Sequence, residues 1–249
     1  MHYLLMPIVA PMQSWGDMVV SGDDRPTLPF PTHSGLGGLI CAALGIDRQD
    51  EERLRQVHDH LRFIVLEVSE GRLQRDYYSV ENIVRASGSG GGSIIGNKYY
   101  LADAVFLAAV SLLPEPPFSL EEIGRALLSP YYSLYAGRRA YPLSLPPVFH
   151  VNGIPQILEW DNPFIGMMSL LQDESKRQRV FPGHTALSNT LPPPRFYCDA
   201  EDKVHIDGSN QVSDIPYSIQ DRYHGWYRNW GYRSFEGRNV YRVHLNAEA

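Results

Sequence analysis

Gly35 to Gly45 reads GLGGLICAALG, and this stretch decides the fold. Leu36, Leu39, Ile40, Ala43 and Leu44 recur at helical spacing, so the segment is predicted as a helix with a broad apolar face. Thr32 or Ser34 can cap it. Three glycines, Gly35, Gly37 and Gly38, crowd its first turn. An interior glycine weakens a helix by roughly 1 kcal/mol relative to alanine, though less at an end. Something must offset that cost: a close backbone approach to a neighbour, or a ligand. Free N–H groups at a helix start can meet an anion. The stretch lacks the lysine of a P-loop and the spacing of a dinucleotide fingerprint, so RNA phosphate contact and tight packing are the two readings that stand.

Outward from this helix, short apolar runs alternate with polar ones. Tyr3 to Ala10 (YLLMPIVA) is predicted as a strand buried on most of both faces, with Pro7 favouring an edge or a bulge. Pro11 to Pro31 is loop, with four prolines and two glycines. Asp47 to His60 is dense in charge and reads as an exposed helix. Leu61 to Ser69 and Gln74 to Val80 read as strands, Ser87 to Ser93 (SGSGGGS) as a flexible loop, and Tyr99 to Leu113 as strand. Ser119 caps a helix from Leu120 to Leu128, whose dipole suits Glu121 and Glu122. This order predicts an α+β fold with two helices packed on one face of an antiparallel sheet. After Pro130 the chain is turn-rich, and Phe149 to Arg195 shows poor periodicity. Phe196 to His205 reads as a hairpin arm and Asn239 to Leu245 as a last strand. With no internal repeat and no clean linker, one domain with elaborations is expected.

Composition narrows the class. The chain has 249 residues, 43% hydrophobic and 20% charged, which is ordinary globular usage. Cys41 and Cys198 cannot build a disulfide framework, and a reducing cytoplasm is expected. No apolar run reaches the roughly 18 residues of a membrane helix, and Asp17 with no basic leader argues against a signal peptide. The net charge of −6 argues against clamping nucleic acid by bulk electrostatics, while leaving room for a local basic groove. Between Tyr217 and His244, Arg222, Arg228, Arg233, Arg238 and Arg242 face only Asp221 and Glu236, among eight aromatics. That mixture suits base stacking and a protein–protein interface about equally.

Among candidate chemistries, metal binding is weak. There is no HExxH, and His58 and His60 sit two apart on an expected helix, pointing to different faces. Ser14, Ser34 and Ser79 lack a GxSxG setting. Metal-free RNA cleavage would need a general acid and base, and His33, Tyr77, Tyr78 and Lys98 are of the right types. Gly137-Arg138-Arg139 is stronger. Two adjacent arginines in a proline-bounded turn cannot both be buried without partners, and guanidinium forks match phosphate oxygens.

Five blocks together resemble a known family: PMQSWG (Pro11 to Gly16), RPTLPFPTHSGLGGLICAALGIDR (Arg25 to Arg48), RDYYSV (Arg75 to Val80), YLADAVFLAAV (Tyr100 to Val110) and YAGRRAYPL (Tyr135 to Leu143). The chain is similar to the type I-E Cascade members of the fifth CRISPR-associated family, within the RAMP superfamily. The resemblance spans most of the first 143 residues and is thin beyond Val148. It implies a ferredoxin-like (RRM-like) core over residues 1–148, a thumb-like hairpin inserted near 81–99, and an elaboration over 149–249 with a C-terminal strand packed on the core. It also implies a non-catalytic subunit that holds the 5′ handle of the CRISPR RNA and caps the backbone filament. The partners implied are the backbone subunit, the large subunit and, indirectly, target DNA, with no cofactor, metal or membrane. Thr32, His33, Ser34 and Gly35 would lie near the handle, and Gln13, Trp15 and Arg25 would line the same surface. Arg75 and Lys98 would flank the thumb, and Arg138 and Arg139 would supply phosphate forks. The glycine-rich tip departs from the family by offering little side chain for stacking. The alternative is a metal-free endoribonuclease acting on CRISPR precursor RNA, as in type I-C relatives.

Overall fold

A computed structural model of the chain describes residues 1–16, 24–84, 88, 91–183, 194–199, 212–227 and 232–244. Its centre is three apolar strands: β1 (His2–Val9), then β3 (Leu61–Ser69) and β6 (Val105–Leu112). Between β1 and β3 come β2 (Met12–Gln13), α1 (His33–Ala43) and α2 (Glu51–His60). A long hairpin, β4 (Arg72–Ile83) and β5 (Gly92–Ala102), separates β3 from β6. After β6 follow α3 (Leu120–Leu128), the short strands β7 (His150–Val151), β8 (Ile154–Pro155) and β9 (Ile157–Glu159), and then α4 (Pro163–Gln172) and α5 (Glu174–Val180). The last strands are β10 (Arg195–Cys198), β11 (Val212–Tyr227) and β12 (Tyr232–His244).

The main sheet runs β11-β12-β10-β3-β6-β1-β9, with every pairing antiparallel. Its central strands look uniformly apolar because both faces are covered. Leu4, Met6, Ile8, Phe63, Val65, Phe106 and Ala108 pack in a core with α1, α2 and α3. Tyr3, Leu5, Val9, Ile64, Leu66, Leu107 and Ala109 pack in a second core with α4 and α5. This two-residue alternation is the pleat of a strand, here with an apolar partner on each side. Helices therefore cover both faces, where the sequence predicts two helices on one. The first of the missed pair, α4, is signalled by Asn162, whose side chain accepts from the Phe164 and Ile165 amides, and by Pro163 in the first turn.

Pro7 is accommodated as an edge residue. The Leu5 and Val9 carbonyls on the outer side of β1 accept from the loop amides of Phe149 and Ser144, both at 2.8 Å, while β9 pairs only with His2 to Leu4. By the period of two, Pro7 presents its missing N–H to that same open side. The α2 segment, expected to be an exposed helix from Asp47, begins at Glu51 and buries Leu54, Val57 and His58. The predicted strand Tyr99 to Leu113 is two strands, broken at Asp103, whose φ of 57° turns the chain. At α3 both halves of a capping box form: Ser119 Oγ accepts from Glu122 N, and Glu122 Oε2 accepts from Ser119 N at 2.7 Å. The hairpin joins β2 in a second sheet, ordered β2-β5-β4, and includes Arg75 rather than starting after it. Most of its tip lies outside the described residues, as does residue 200 onward in the expected arm Phe196 to His205. Cys41 and Cys198 are both buried and in no disulfide.

One buried carboxylate gives the sheet a pH signature. Glu67 on β3 accepts a 2.8 Å hydrogen bond from the Tyr197 hydroxyl, and its Oε1 lies 3.0 Å from an Arg195 guanidinium nitrogen, at ion-pair distance but without hydrogen-bond alignment. Burial pushes its pKa above the ordinary value, outweighing the downward pull of Tyr197 and Arg195. A carboxyl that ionises less readily when folded loses stability as pH rises from the unfolded toward the folded pKa, and the loss is complete above the latter. Glu67→Gln, which cannot ionise, is therefore expected to gain stability relative to the parent as pH rises from about 4 through the raised folded pKa. Thermal melts across that range check it, and a difference independent of pH contradicts it.

Candidate nucleic-acid interface

The chain leaving β1 is tied down at once. Gln13 pairs with Leu101 of β5, and its side-chain amide donates to the Ala104 carbonyl at 2.6 Å. The same side chain accepts from the Trp15 indole N–H at 3.2 Å. Trp15 is 1% exposed, and its ring lies against Gly35, where an added Cβ would sit 2.9 Å from Trp15 Cε3. Gly37 likewise faces the His58 ring, 2.4 Å from where its Cβ would be. Close packing thus accounts for two of the three helical glycines, while Gly38 faces open space. Thr32 is the N-cap, its Oγ1 accepting from the Gly35 amide at 3.1 Å, with Ser34 Oγ 3.3 Å away.

These contacts correct part of the expected site. Gln13, Trp15, Thr32 and His33 are buried, so they hold the surface in place and do not form it. An indole and an amide that satisfy each other are more stable inside than facing water. The His33 ring packs edge-on against Phe63 with centroids 5.1 Å apart, and its Nε2 is 3.1 Å from the Leu61 carbonyl. Ser34 and Gly35 are half-buried, and the Gly35 amide is already used by Thr32.

The accessible cations gather at the hairpin root. Arg25, after the loop, adds to the edge of β5: its amide donates to the Asn97 carbonyl at 2.7 Å, and its carbonyl accepts from Tyr99 N at 2.9 Å, beside Lys98. Asp24 reinforces this by accepting from the amide and side chain of Asn97 at 2.7 and 2.9 Å. Arg138 reaches across to donate to the Arg25 carbonyl at 3.0 Å and to the Tyr141 hydroxyl at 3.1 Å. Lys98 Nζ sits 4.5 Å from the centre of the Tyr78 ring. Arg25, Lys98 and Arg138 thus converge from three distant segments. Arg75 stands opposite Tyr99, and Lys98 opposite Asp76, so Arg75 projects from the other face of the hairpin. Arg139 is exposed and turns to the groove between α1 and α2. Among the described residues, Arg25, Arg75 and Arg139 have no ion-pair partner. Phosphate oxygens suit such a set of cations and an aromatic-backed lysine.

Of the residues suited to acid–base cleavage, the structure brings Lys98 to Tyr78 and leaves His33 and Tyr77 apart from them. His33 is interior, and Tyr77 and Tyr78, as neighbours in a strand, face opposite sides. His58 packs on Gly37, and His60 Nδ1 lies 2.7 Å from the Gln56 carbonyl. Among the described residues no cluster of His, Cys, Asp and Glu could hold a metal ion. The arginine- and aromatic-rich tail runs through β11 and β12, whose side chains before Val240 lie outside the described residues.

Residues 3–218 match the model of the CRISPR-associated protein (Cas_Cas5) family. The chain belongs to this Cas5 family. A relative, the CRISPR system Cascade subunit CasD of Escherichia coli strain K12, is 37% identical over 155 residues, which are 58% of this chain and 68% of CasD. A chain of a CRISPR RNA-guided surveillance complex shares the fold with a TM-score of 0.69 at 22% identity, covering 98% of this chain and 90% of its own. A Cas protein known from a crystal structure aligns with a TM-score of 0.60 at 25% identity, covering 99% and 96%. This chain shares its mixed α/β fold with both of these solved chains. No helix among the described residues is long and apolar enough to cross a membrane.

Sequence reasoning missed Ser14 and Tyr141, the residues that aim the twin arginines. Ser14 N donates to the Ala136 carbonyl at 3.0 Å, and Gly137, at φ 90°, lies so close that an added Cβ would fall 1.7 Å from the Ser14 carbonyl oxygen. The signal is the glycine before the arginines, since only glycine fits that approach. Gly137→Ala is expected to lose at least about 2 kcal/mol of stability, through positive φ and backbone overlap together. Denaturant melts check this, and an unchanged midpoint contradicts it.

Proposed function

We propose that this chain is a non-catalytic RNA-binding subunit of a type I-E Cascade complex, holding the 5′ handle of the CRISPR RNA at the hairpin root and capping the backbone filament. The convergence of Arg25, Lys98 and Arg138 at the hairpin root, one exposed and two half-buried, carries the reading. Membership of the Cas5 family and the likeness to the Cascade subunit CasD support it. In this reading residues 1–148 form a ferredoxin-like core, the β4–β5 hairpin is the thumb, and residues 149–249 are an elaboration packed on that core. The partners are the backbone subunit, the large subunit and, through the RNA, target DNA, in the cytoplasm. Arg139, Ser34 and Gly35 complete the surface around the handle, and Arg75 flanks the thumb on its other face.

Electrostatics fits a subunit better than a free RNA clamp. The net charge is −6, so a few forks on one patch bind RNA weakly alone. Neighbouring subunits raise the effective concentration and make the same forks sufficient. Substituting Arg138 and Arg139 together with alanine is expected to lower RNA retention in a pull-down of the assembled complex by about tenfold or more. It should also make the salt dependence shallower, by about 0.7 in slope for each phosphate that is no longer neutralised. Unchanged assembly with unchanged RNA retention refutes the assignment. Specific cleavage of repeat RNA by the purified protein in EDTA would instead favour the endoribonuclease.

A further inference from the structure

At the end of α1 far from the hairpin root lies a pocket of about 350 Å³, enclosed by α2 and α3. Its apolar wall is Leu44 and Ile46, just past α1, with Val57 of α2 and Phe118 ahead of α3. Ile46 and Val57 are buried, whereas Leu44 and Phe118 are half-buried. The apolar surface continues onto Tyr131, which is 75% exposed. The Tyr131 amide donates to the Ala43 carbonyl at 3.0 Å, and an added Cβ on Gly45 would stand 2.8 Å from Tyr131 Cγ. Apolar surface left open in one place on a folded chain marks an interaction site. Two guanidinium groups complete the pocket. Arg53 of α2 and Arg125 of α3 line it and are both exposed, and among the described residues neither has an ion-pair partner. The carboxylate in the same wall, Glu122, is engaged at the start of α3, where it accepts from Ser119 N at 2.7 Å. The walls thus join an apolar hollow to two cations that lack a counter-ion.

The chemistry favours a protein occupant over a nucleic acid. Bases stack on aromatic platforms, and Phe118 is the one aromatic among the residues lining the pocket. A carboxylate in the wall opposes phosphate. Protein interfaces, by contrast, have apolar centres enriched in arginine and tyrosine. Place agrees with chemistry. The helix α1 starts where Gly35 meets Trp15 and runs for 11 residues, about 16 Å at 1.5 Å each, before the pocket begins. A partner seated there leaves the hairpin root open. We propose that the pocket docks a neighbouring protein subunit through an acidic segment. An aliphatic or aromatic side chain of that segment enters between Leu44, Val57 and Phe118, and an adjacent carboxylate meets Arg53 and Arg125. Guanidinium forks match carboxylate oxygens, and a side chain anchored in a hollow is the usual centre of binding energy. This rests on the reading of the chain as a subunit of a multi-protein particle and assigns one of its protein contacts.

The test uses the assembled, RNA-loaded particle. The photoreactive residue p-benzoylphenylalanine replaces Pro117, which is exposed at the pocket edge. Irradiation is expected to join it to another protein subunit, at a peptide that carries Asp or Glu beside a large apolar residue. Reversing both charges, Arg53→Glu with Arg125→Glu, should lower that subunit's retention by about tenfold or more, the scale of lost hot-spot contacts. RNA retention by this chain should not change. Replacing the mapped acids of the partner by lysine should then restore retention, which a merely structural role of the arginines would not allow. Adducts to RNA alone, or to no other protein subunit, overturn the proposal, and this readout holds even if the charge-reversed chain folds poorly. Unchanged retention after charge reversal overturns it too. In either case a particle that still contains this chain leaves the subunit reading standing. If the parent enters no particle at all, that reading falls and the proposal with it.

Discussion

The approach of Gly137 to the Ser14 carbonyl is the constraint on which the surface depends. It leaves no room for a side chain and pins the twin-arginine turn to the segment that has just left β1. One residue earlier, Gln13 is bonded to the Ala104 carbonyl, where β5 has turned into β6. One residue later, Trp15 is sealed against Gly35 at the start of α1. Three consecutive residues thus hold the arginine turn, the hairpin root and the first helix in fixed relation. Gly71 closes the remaining side, since at φ 69° a Cβ there would lie 2.5 Å from the Ala102 carbonyl oxygen. Rigid positioning of this kind lets long, flexible cations act together, because less side-chain freedom is given up as each hydrogen bond to a ligand forms.

Charge and burial are divided accordingly. Aromatic and amide groups of the loop are spent inside, and guanidinium groups remain outside. Arg138 is held by a carbonyl and a hydroxyl, neutral acceptors that aim its fork without cancelling its charge. Lys98 is backed by an aromatic face in the same spirit. A patch so arranged keeps its positive potential on a chain that is acidic overall, and so acts over a short range on a ligand already brought close.

Where local chemistry dictates structure, the sequence is legible. The strand Leu61 to Ser69 and the capped helix Leu120 to Leu128 stand where their apolar runs and Ser119 place them. Periodicity does not reveal α4 and α5, because the PFIGMMSLLQ segment is apolar nearly all round and α5 has only 7 residues, and the Asn162–Pro163 start marks α4 alone. Their existence follows from a second apolar face of the sheet, which a single-residue pattern does not reveal. At the site, Arg25, Lys98, Arg138 and Arg139 are recognisable by type. The interior places of Gln13, Trp15, Thr32 and His33 are not, since a motif shared with a family does not separate residues that touch a ligand from those that hold the frame. The three glycines divide similarly: Gly35 and Gly37 belong to packing, and Gly38 does not.

Ultraviolet crosslinking of RNA in the assembled particle, with the joined peptides mapped by mass spectrometry, tests most directly whether the strand crosses the hairpin root. Adducts are expected on the peptides that carry Arg25, Lys98 with Tyr99, and Arg138 with Tyr141. Adducts confined to the α4–α5 face of the sheet, or none on this chain within an RNA-loaded particle, would contradict the account.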